Sequence, residues 1–312
     1  MHTCGGSVGV GLSNQEKIMV YVLYNTSAGA HYGVDRIKEK MSEFFPGEEI
    51  SLSSALSVDD KADYVSHLTP EDKLVVVGGD GTLNRFANSI EDREYPFPMY
   101  CYAGGTGNDF INDVAGVDSD GLVQINEYIK KLPVITVNGE DYRFINGIGY
   151  GIDGWCCEVG DEYRERTGKA PNYTSIALSG LIGKFKPTHA KITIDGKVYE
   201  FDHVWMAPAM NGRYFGGGMM ITPTQDRLNA ARDISVAVVT AKSRFKLLTI
   251  FPKIFKGKHT THTDVYKLYT GKEVTVEFDR PVALQIDGET VLGVTSYTAK
   301  SASLLEKELV TK

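Results

Sequence analysis

The sequence predicts two domains: an α/β domain built on a parallel sheet, followed by a mostly antiparallel β domain. Three observations carry this. Three short apolar runs each stop at a turn rich in glycine or small polar residues. Near Ile135 the pattern changes to short alternating runs. The 312 residues are enough for two buried cores.

Residues 17–24 (KIMVYVLY) form the first apolar run and end in Asn25-Thr26-Ser27-Ala28-Gly29, a buried strand entering a turn. Val34, Ile37, Met41 and Phe44 then recur at helical spacing. Residues 73–77 (KLVVV) stop at Gly78-Gly79-Asp80-Gly81-Thr82, and a helix is predicted over 83–90. Residues 98–103 stop at Gly104-Gly105-Thr106-Gly107-Asn108-Asp109. Strand, turn, helix, repeated, is the signature of a parallel sheet with helices on its faces. Ligands of such sheets bind beyond the carboxyl ends of the strands, where all three turns lie. Beyond residue 135 the short runs are separated by turns such as Asn138-Gly139 and Asp195-Gly196, which is the antiparallel pattern. The division is therefore a Gly/Ser-rich disordered extension (1–16), an α/β domain (17–135) and a β-rich domain (136–296). The last stretch, 297–312, is a candidate to return to the first domain.

Composition excludes some functions. A net charge of −7 argues against a nucleic-acid partner. No Cys-x-x-Cys pair occurs among Cys4, Cys101, Cys156 and Cys157, which fits a reducing compartment. No leader-like start and no run of about 18 apolar residues is present. The expected location is cytoplasmic.

The turn Gly78 to Asn84 (GGDGTLN) is the sharpest feature. Glycines let backbone N–H groups approach a phosphate, the following helix offers its positive end, and Thr82 adds a hydroxyl. Asp80 suits a site where Mg²⁺ sits between it and the phosphates. The competing reading is a tight βα turn with Asp80 as a cap. The second turn, Gly104 to Phe110 (GGTGNDF), repeats the logic, with Gly105, Thr106 and Gly107 facing phosphate and Asp109 as a second carboxylate. Far downstream, Gln285-Ile286-Asp287-Gly288-Glu289 reads either as a hairpin turn with solvated acids or as a third carboxylate for the site. No Walker A pattern exists. Gly149-x-Gly151-x-x-Gly154 is discounted because nothing marks a βαβ unit around it, and His259, His262 and Asp264 read as surface residues rather than metal ligands. Residues 242–258 (KSRFKLLTIFPKIFKGK) hold six basic residues, no acid and seven large apolar ones. Two readings stand: a helix that docks on anionic lipid, or a core helix with a solvated basic face. Pro252 would kink or divide that helix.

Taken together, Asn25-x-x-Ala28-Gly29, GGDGTLN, GGTGNDF, Phe144-Ile145-Asn146 with Gly151, Asn211-Gly212-Arg213 before three glycines, and Asp287-Gly288-Glu289 resemble the diacylglycerol kinase catalytic family, over roughly residues 17–305. The resemblance implies a Rossmann-like first domain, a β-sandwich second domain, ATP in the cleft between them and Mg²⁺. By motif, Asn25, Ser54, Gly78, Gly79, Asp80, Gly81, Thr82, Leu83, Asn84, Gly105, Thr106, Gly107 and Asn108 would hold the nucleotide. Asp80 and Asp109 would organise Mg²⁺ through ATP and water. Glu289 would be the catalytic base, with Asp80 the alternative. The expected activity is phosphorylation of a hydroxyl on diacylglycerol or a related lipid at a membrane surface, with peripheral contact through 242–258. A NAD kinase-like enzyme and a non-catalytic nucleotide-binding module are the rivals. The oligomeric state stays open, a homodimer included. The chain departs from the family at Thr26, at Thr136 and at Asn229-Ala230; the last falls where relatives hold a structural Mg²⁺, with Asp226 the nearby acid.

Overall fold

A computed structural model describes residues 18–25, 33–105, 107–116 and 119–310. The extension 1–16, the turn residues Thr26, Ala28 and Gly29, and Thr106 lie outside the described residues.

The first domain runs β1 (Met19–Tyr24), α1 (Val34–Phe44), β2 (Glu49–Ser54), α2 (Lys61–Ser66), β3 (Lys73–Gly78), α3 (Asp80–Ser89), β4 (Met99–Ala103), α4 (Asp109–Val114), β5 (Leu122–Gln124) and α5 (Asn126–Ile129). The sheet order is β2-β1-β3-β4-β5, with the first four strands parallel and β5 antiparallel. Leu74, Val75, Val76 and Val77 are all buried because α-helices cover both faces of β3. Four strand ends, at Tyr24, Ser54, Gly78 and Ala103, therefore share one edge of the sheet.

The second domain begins with β6 (Val134–Val137), β7 (Glu140–Arg143) and β8 (Gly147–Tyr150). A helical excursion follows: α6 (Ile152–Thr167), α7 (Tyr173–Ser179) and a π-helical turn (Gly180–Lys184). Then come β9 (Thr188–Ile194), β10 (Lys197–Met206), β11 (Ala209–Met210), β12 (Tyr214–Phe215), β13 (Met219–Met220), β14 (Ile234–Thr240), α8 (Arg244–Ile254), a 3₁₀ turn (Lys258–Thr261), β15 (Tyr266–Gly271), β16 (Glu273–Ile286), β17 (Glu289–Lys300) and α9 (Ala302–Val310). The main sheet is antiparallel. The long β16 pairs with β9 through Val274–Phe278 and with β8 through Leu284–Ile286. Its register shifts between Glu277 and Val282, so one strand serves both layers and closes the sheet on itself.

Three expectations are corrected. Residues 152–167 and 173–184 are helical, where the sequence reading placed no element. Tyr297–Lys300 continue β17 in the second sheet, paired with β16 and β6, instead of returning to the first; α9 meets the end of the first domain through a Lys131–Glu306 ion pair. His259 is 1% exposed, not a surface residue: its Nε2 lies 3.0 Å from the Ile221 carbonyl and its ring sits edge-on to Tyr266.

Candidate active site

The two glycine turns pack backbone against backbone. The Gly104 N–H donates to the Gly78 carbonyl at 2.9 Å. A Cβ on Gly105 would lie 2.5 Å from the Gly79 Cα, so a side chain there would force the loops apart. Asn25 ties in β1: its Nδ2 donates to Thr82 Oγ1 at 3.1 Å. Ser54 ends β2 at the same sheet edge, its Oγ accepting from the Leu56 N–H. Asn108 adopts a left-handed conformation (φ 51°), and its side-chain amide brackets Gly105 with two 3.1 Å bonds.

Gly79, Asp80, Gly81, Gly107 and Asp109 face one cavity. Leu83 and Asn84, expected beside the nucleotide, turn elsewhere. Leu83 packs in the first domain's core. Asn84 points at the domain junction, donating to Asp287 Oδ2 at 2.7 Å and to the Arg143 carbonyl at 3.0 Å. Helical periodicity explains both: after Gly81 the α3 face that meets the core and the junction comes round.

Asp80 accepts from the backbone N–H groups of Asp109 (3.0 Å) and Phe110 (2.8 Å), and from Asn146 Nδ2 (2.8 Å). It thus caps α4 while lining the cavity. Asp109 accepts from the N–H groups of Gly217 (2.8 Å) and Gly218 (2.6 Å) of the second domain. Burial first, then the Asp80 charge, push Asp109 up to about 7 against the pull of those two amides. Asp153, on the first turn of α6, is held by Gln285 Nε2 at 2.9 Å and raised to about 6 by burial.

The downstream acids part company. Asp287 and Gly288 form the β16–β17 hairpin turn, with φ of 46° and 95°. Asp287 is not solvated: it accepts from the N–H groups of Ile145 (2.5 Å), Asn146 (2.8 Å) and Gly147 (2.9 Å). Burial raises its pKa, opposed by those amides. Glu289 lies outside the cavity lining, paired with Arg85 at 2.5 Å. It stays beside the glycine turn, since a Cβ on Gly81 would be 3.6 Å from its Oε1.

The cavity holds about 670 Å³, within the range of roughly 300–1,000 Å³ typical of small-molecule sites. One end carries the glycine turns with Asp80, Asp109, Asp153 and Asp287. The other is apolar, walled by Leu181, Trp205, Leu247, Ile250, Phe251 and Ile254 from the helical excursion, β10 and α8. Pro252 sits inside α8 without ending it. Among the described residues, no group of three or more His, Cys, Asp or Glu side chains forms a metal cage. The Asp226–Asp233 loop closes on itself, Asn229 Oδ1 accepting from the Asp233 N–H at 3.1 Å. Asp80 and Asp109 offer hard oxygen donors of the kind Mg²⁺ takes when one or two carboxylates and substrate phosphates share it.

Sequence reading missed Asp153, Asp113 and Arg227. Arg227 is 6% exposed and donates to Asp113 Oδ2 (2.6 Å), the Ile145 carbonyl (2.8 Å) and Asn146 Oδ1 (2.8 Å). Arg213 reaches Asp113 from its other side at 2.5 Å. These charges lock α4 to the second domain. Only Asp153 left a trace in the sequence, as a carboxylate between glycines in an apolar run.

Residues 19–136 match the diacylglycerol kinase catalytic domain, and residues 146–302 match the YegS C-terminal NAD kinase beta sandwich-like domain. The chain belongs to the diacylglycerol kinase catalytic family. Among relatives is a diacylglycerol kinase of Mycobacterium tuberculosis, 26% identical over 229 residues that cover 70% of each chain. A crystal structure of a diacylglycerol kinase from Bacillus anthracis shares the fold, with a TM-score of 0.59 at 22% identity, covering 92% of this chain and 95% of that one. At the level of the family the protein is a lipid kinase with the two-domain architecture described above. The first domain contributes the glycine turns, and the β-rich second domain contributes the apolar end of the cavity.

Proposed function

We propose that this kinase transfers the γ-phosphoryl group of ATP, with Mg²⁺, to the hydroxyl of diacylglycerol or a related lipid. One observation supports the reading most: a single cavity is continuous from the glycine turns and their carboxylates to an apolar chamber. The chamber takes acyl chains and the acidic end takes the hydroxyl, so the acceptor is oriented before reaction.

Bound Mg²⁺ supplies neutralisation of phosphate charge, and Asp80 and Asp109 are the residues that would hold it. The backbone of the glycine turns and the N-terminus of α3, which has no side-chain cap, bind phosphate oxygens. Asp80 or Glu289 accepts the hydroxyl proton: Asp80 faces the cavity, and Glu289 borders it beside Gly81. The Asp113–Arg227 lock keeps the two walls in register, and the apolar chamber excludes water that would otherwise hydrolyse ATP.

Incubation of the purified protein with γ-labelled ATP, Mg²⁺ and a total lipid extract tests the proposal. Label in a lipid phosphate supports it. Label appearing in NAD, or nucleotide binding with no labelled lipid, overturns it in favour of one of the rivals.

A further inference from the structure

Two elements cap the apolar chamber: α7 with the π-helical turn, and α8. Their inner residues, among them Ala177, Leu181, Leu247 and Ile250, face the cavity. Their outer residues are not the polar set that a solvated helix face normally carries. Phe245 is 82% exposed and Ile182 69%, with Tyr173, Leu178 and Phe255 also on the surface. Scattered single apolar residues need no explanation, whereas clustered ones do.

They are clustered. The Arg244 guanidinium donates to the carbonyls of Gly180 (3.2 Å), Leu181 (3.1 Å) and Phe185 (2.9 Å) and lies over Trp205. This staple joins the start of α8 to the π-helical turn and brings Phe245 and Ile182, each next to a stapled residue, to one edge of the cap. The cavity rim opens beside it, since Tyr173 and Phe255 both line the cavity and are exposed.

The charge around this edge is inverted. Neither 173–186 nor 242–258 contains an acid, in a chain of net charge −7. Lys184 and Lys186 lie at the end of the π-helical turn, Lys242 precedes α8, and Lys253, Lys256 and Lys258 lie at its far end. Lys246 pairs with Asp264, and Lys253 lies 2.8 Å from His262. Lys184, Lys186 and Arg280 also border a second hollow of about 410 Å³ walled by Trp155 and Phe185, with Glu158 as its acid.

We propose that this cap is a docking face for an anionic lipid bilayer, with Phe245 and Ile182 inserting at the headgroup–acyl boundary and the lysines contacting lipid phosphates. The face thereby sets the cavity mouth against the membrane. Its use in delivering substrate rests on the lipid-kinase reading; the docking itself does not. Apolar insertion and cationic attraction together fit an interfacial bilayer contact, and either alone holds weakly.

The test is sedimentation of the full chain with vesicles of phosphatidylcholine alone or mixed with phosphatidylglycerol. The protein should bind the anionic vesicles and release as salt rises. The double substitution Phe245→Ser with Ile182→Ser should weaken binding by roughly a hundredfold, about tenfold per residue. A second variant, Lys184→Gln with Lys256→Gln, should weaken binding to the anionic vesicles by roughly thirtyfold, about fivefold per lysine, while leaving the apolar pair intact. No binding by the wild type, or equal binding by the Ser variant, overturns the proposal, as does an edge that drives self-association instead. Phosphorylation of a short-chain, water-soluble diacylglycerol without vesicles separates the two readings. Wild type and Ser variant should match there, because neither Phe245 nor Ile182 lines the cavity. Vesicle binding without that activity would leave docking standing and remove the kinase reading.

Discussion

Glu289 and Arg85 form an ion pair at 2.5 Å across the domain junction, joining the first residue of β17 to the second turn of α3. Both side chains are more than half exposed, so the pair contributes little to stability, on the order of 0–1 kcal/mol. Its position beside Gly81 gives it another role, fixing the Glu289 carboxylate at the border of the cavity. Arg85→Ala should leave the melting temperature within about 2 °C of wild type and lower kcat for lipid phosphorylation several-fold.

Glu289→Gln and Asp80→Asn should each lower kcat by roughly 10²–10⁴. They should differ in stability. Asp80 holds the Asp109 and Phe110 amides and the Asn146 side chain, so its substitution should also cost on the order of 1–3 kcal/mol in urea unfolding. Near-normal turnover in both variants would remove both from the chemistry.

Arg227→Met strips Asn146 Oδ1 of its partner and takes the buried guanidinium from Asp113 and the Ile145 carbonyl, which keep Arg213 and Asn211 Nδ2 respectively. Removing one member of a buried pair costs about 3–5 kcal/mol, and the surviving Arg213 contact holds the loss at the lower end of that range. Denaturant unfolding should show a loss of that size, and a loss below about 1 kcal/mol would mean the junction is not locked as described.

Asp153 gives a pH signature. Its pKa is raised to about 6 from the ordinary 3.8 by burial. A raised acid binds more protons folded than unfolded, so its stability contribution is full below the unfolded pKa and lost as pH rises through about 6. The loss approaches ~3 kcal/mol at full ionisation. Asp153→Asn should therefore gain stability relative to wild type as pH rises from about 4 to about 6 and keep that gain above it. A pH-independent difference in melting temperature would contradict the burial of an ionisable carboxyl there.

Several elements were legible in the sequence for identifiable reasons. β1, β3 and β4 are covered on one or both faces and so read as continuous apolar runs ending at turns. β2 did not: none of its six residues is fully buried, because it is an edge strand. α6 escaped because it packs through Gly154 and Gly160 instead of an apolar stripe. A Cβ on Gly154 would lie 2.0 Å from the Ala283 carbonyl oxygen, and one on Gly160 2.6 Å from Tyr173. Its buried residues therefore include small ones and Asp153, which give no hydrophobic period. The glycine turns announced a site, but the partners of their carboxylates are distant in the chain. Asn146, Gly217 and Arg227 meet Asp80, Asp109 and Asp113 only through the fold. Composition alone could not separate the two readings of 242–258. In the structure Leu247, Ile250 and Ile254 are core, as the second reading has it, while Phe245 faces outward and leaves the first reading to the vesicle experiment.

On the proposed function, the chamber behind the carboxylates holds the acyl chains of the phosphate acceptor. The direct measurement compares phosphoryl transfer to long-chain and short-chain diacylglycerol in mixed micelles, for wild type and for Ala177→Phe, which fills the chamber from α7. Selective loss of long-chain turnover, at least tenfold with short-chain turnover kept, is the predicted result. Equal rates on both acceptors in the two proteins would show that the chains lie elsewhere.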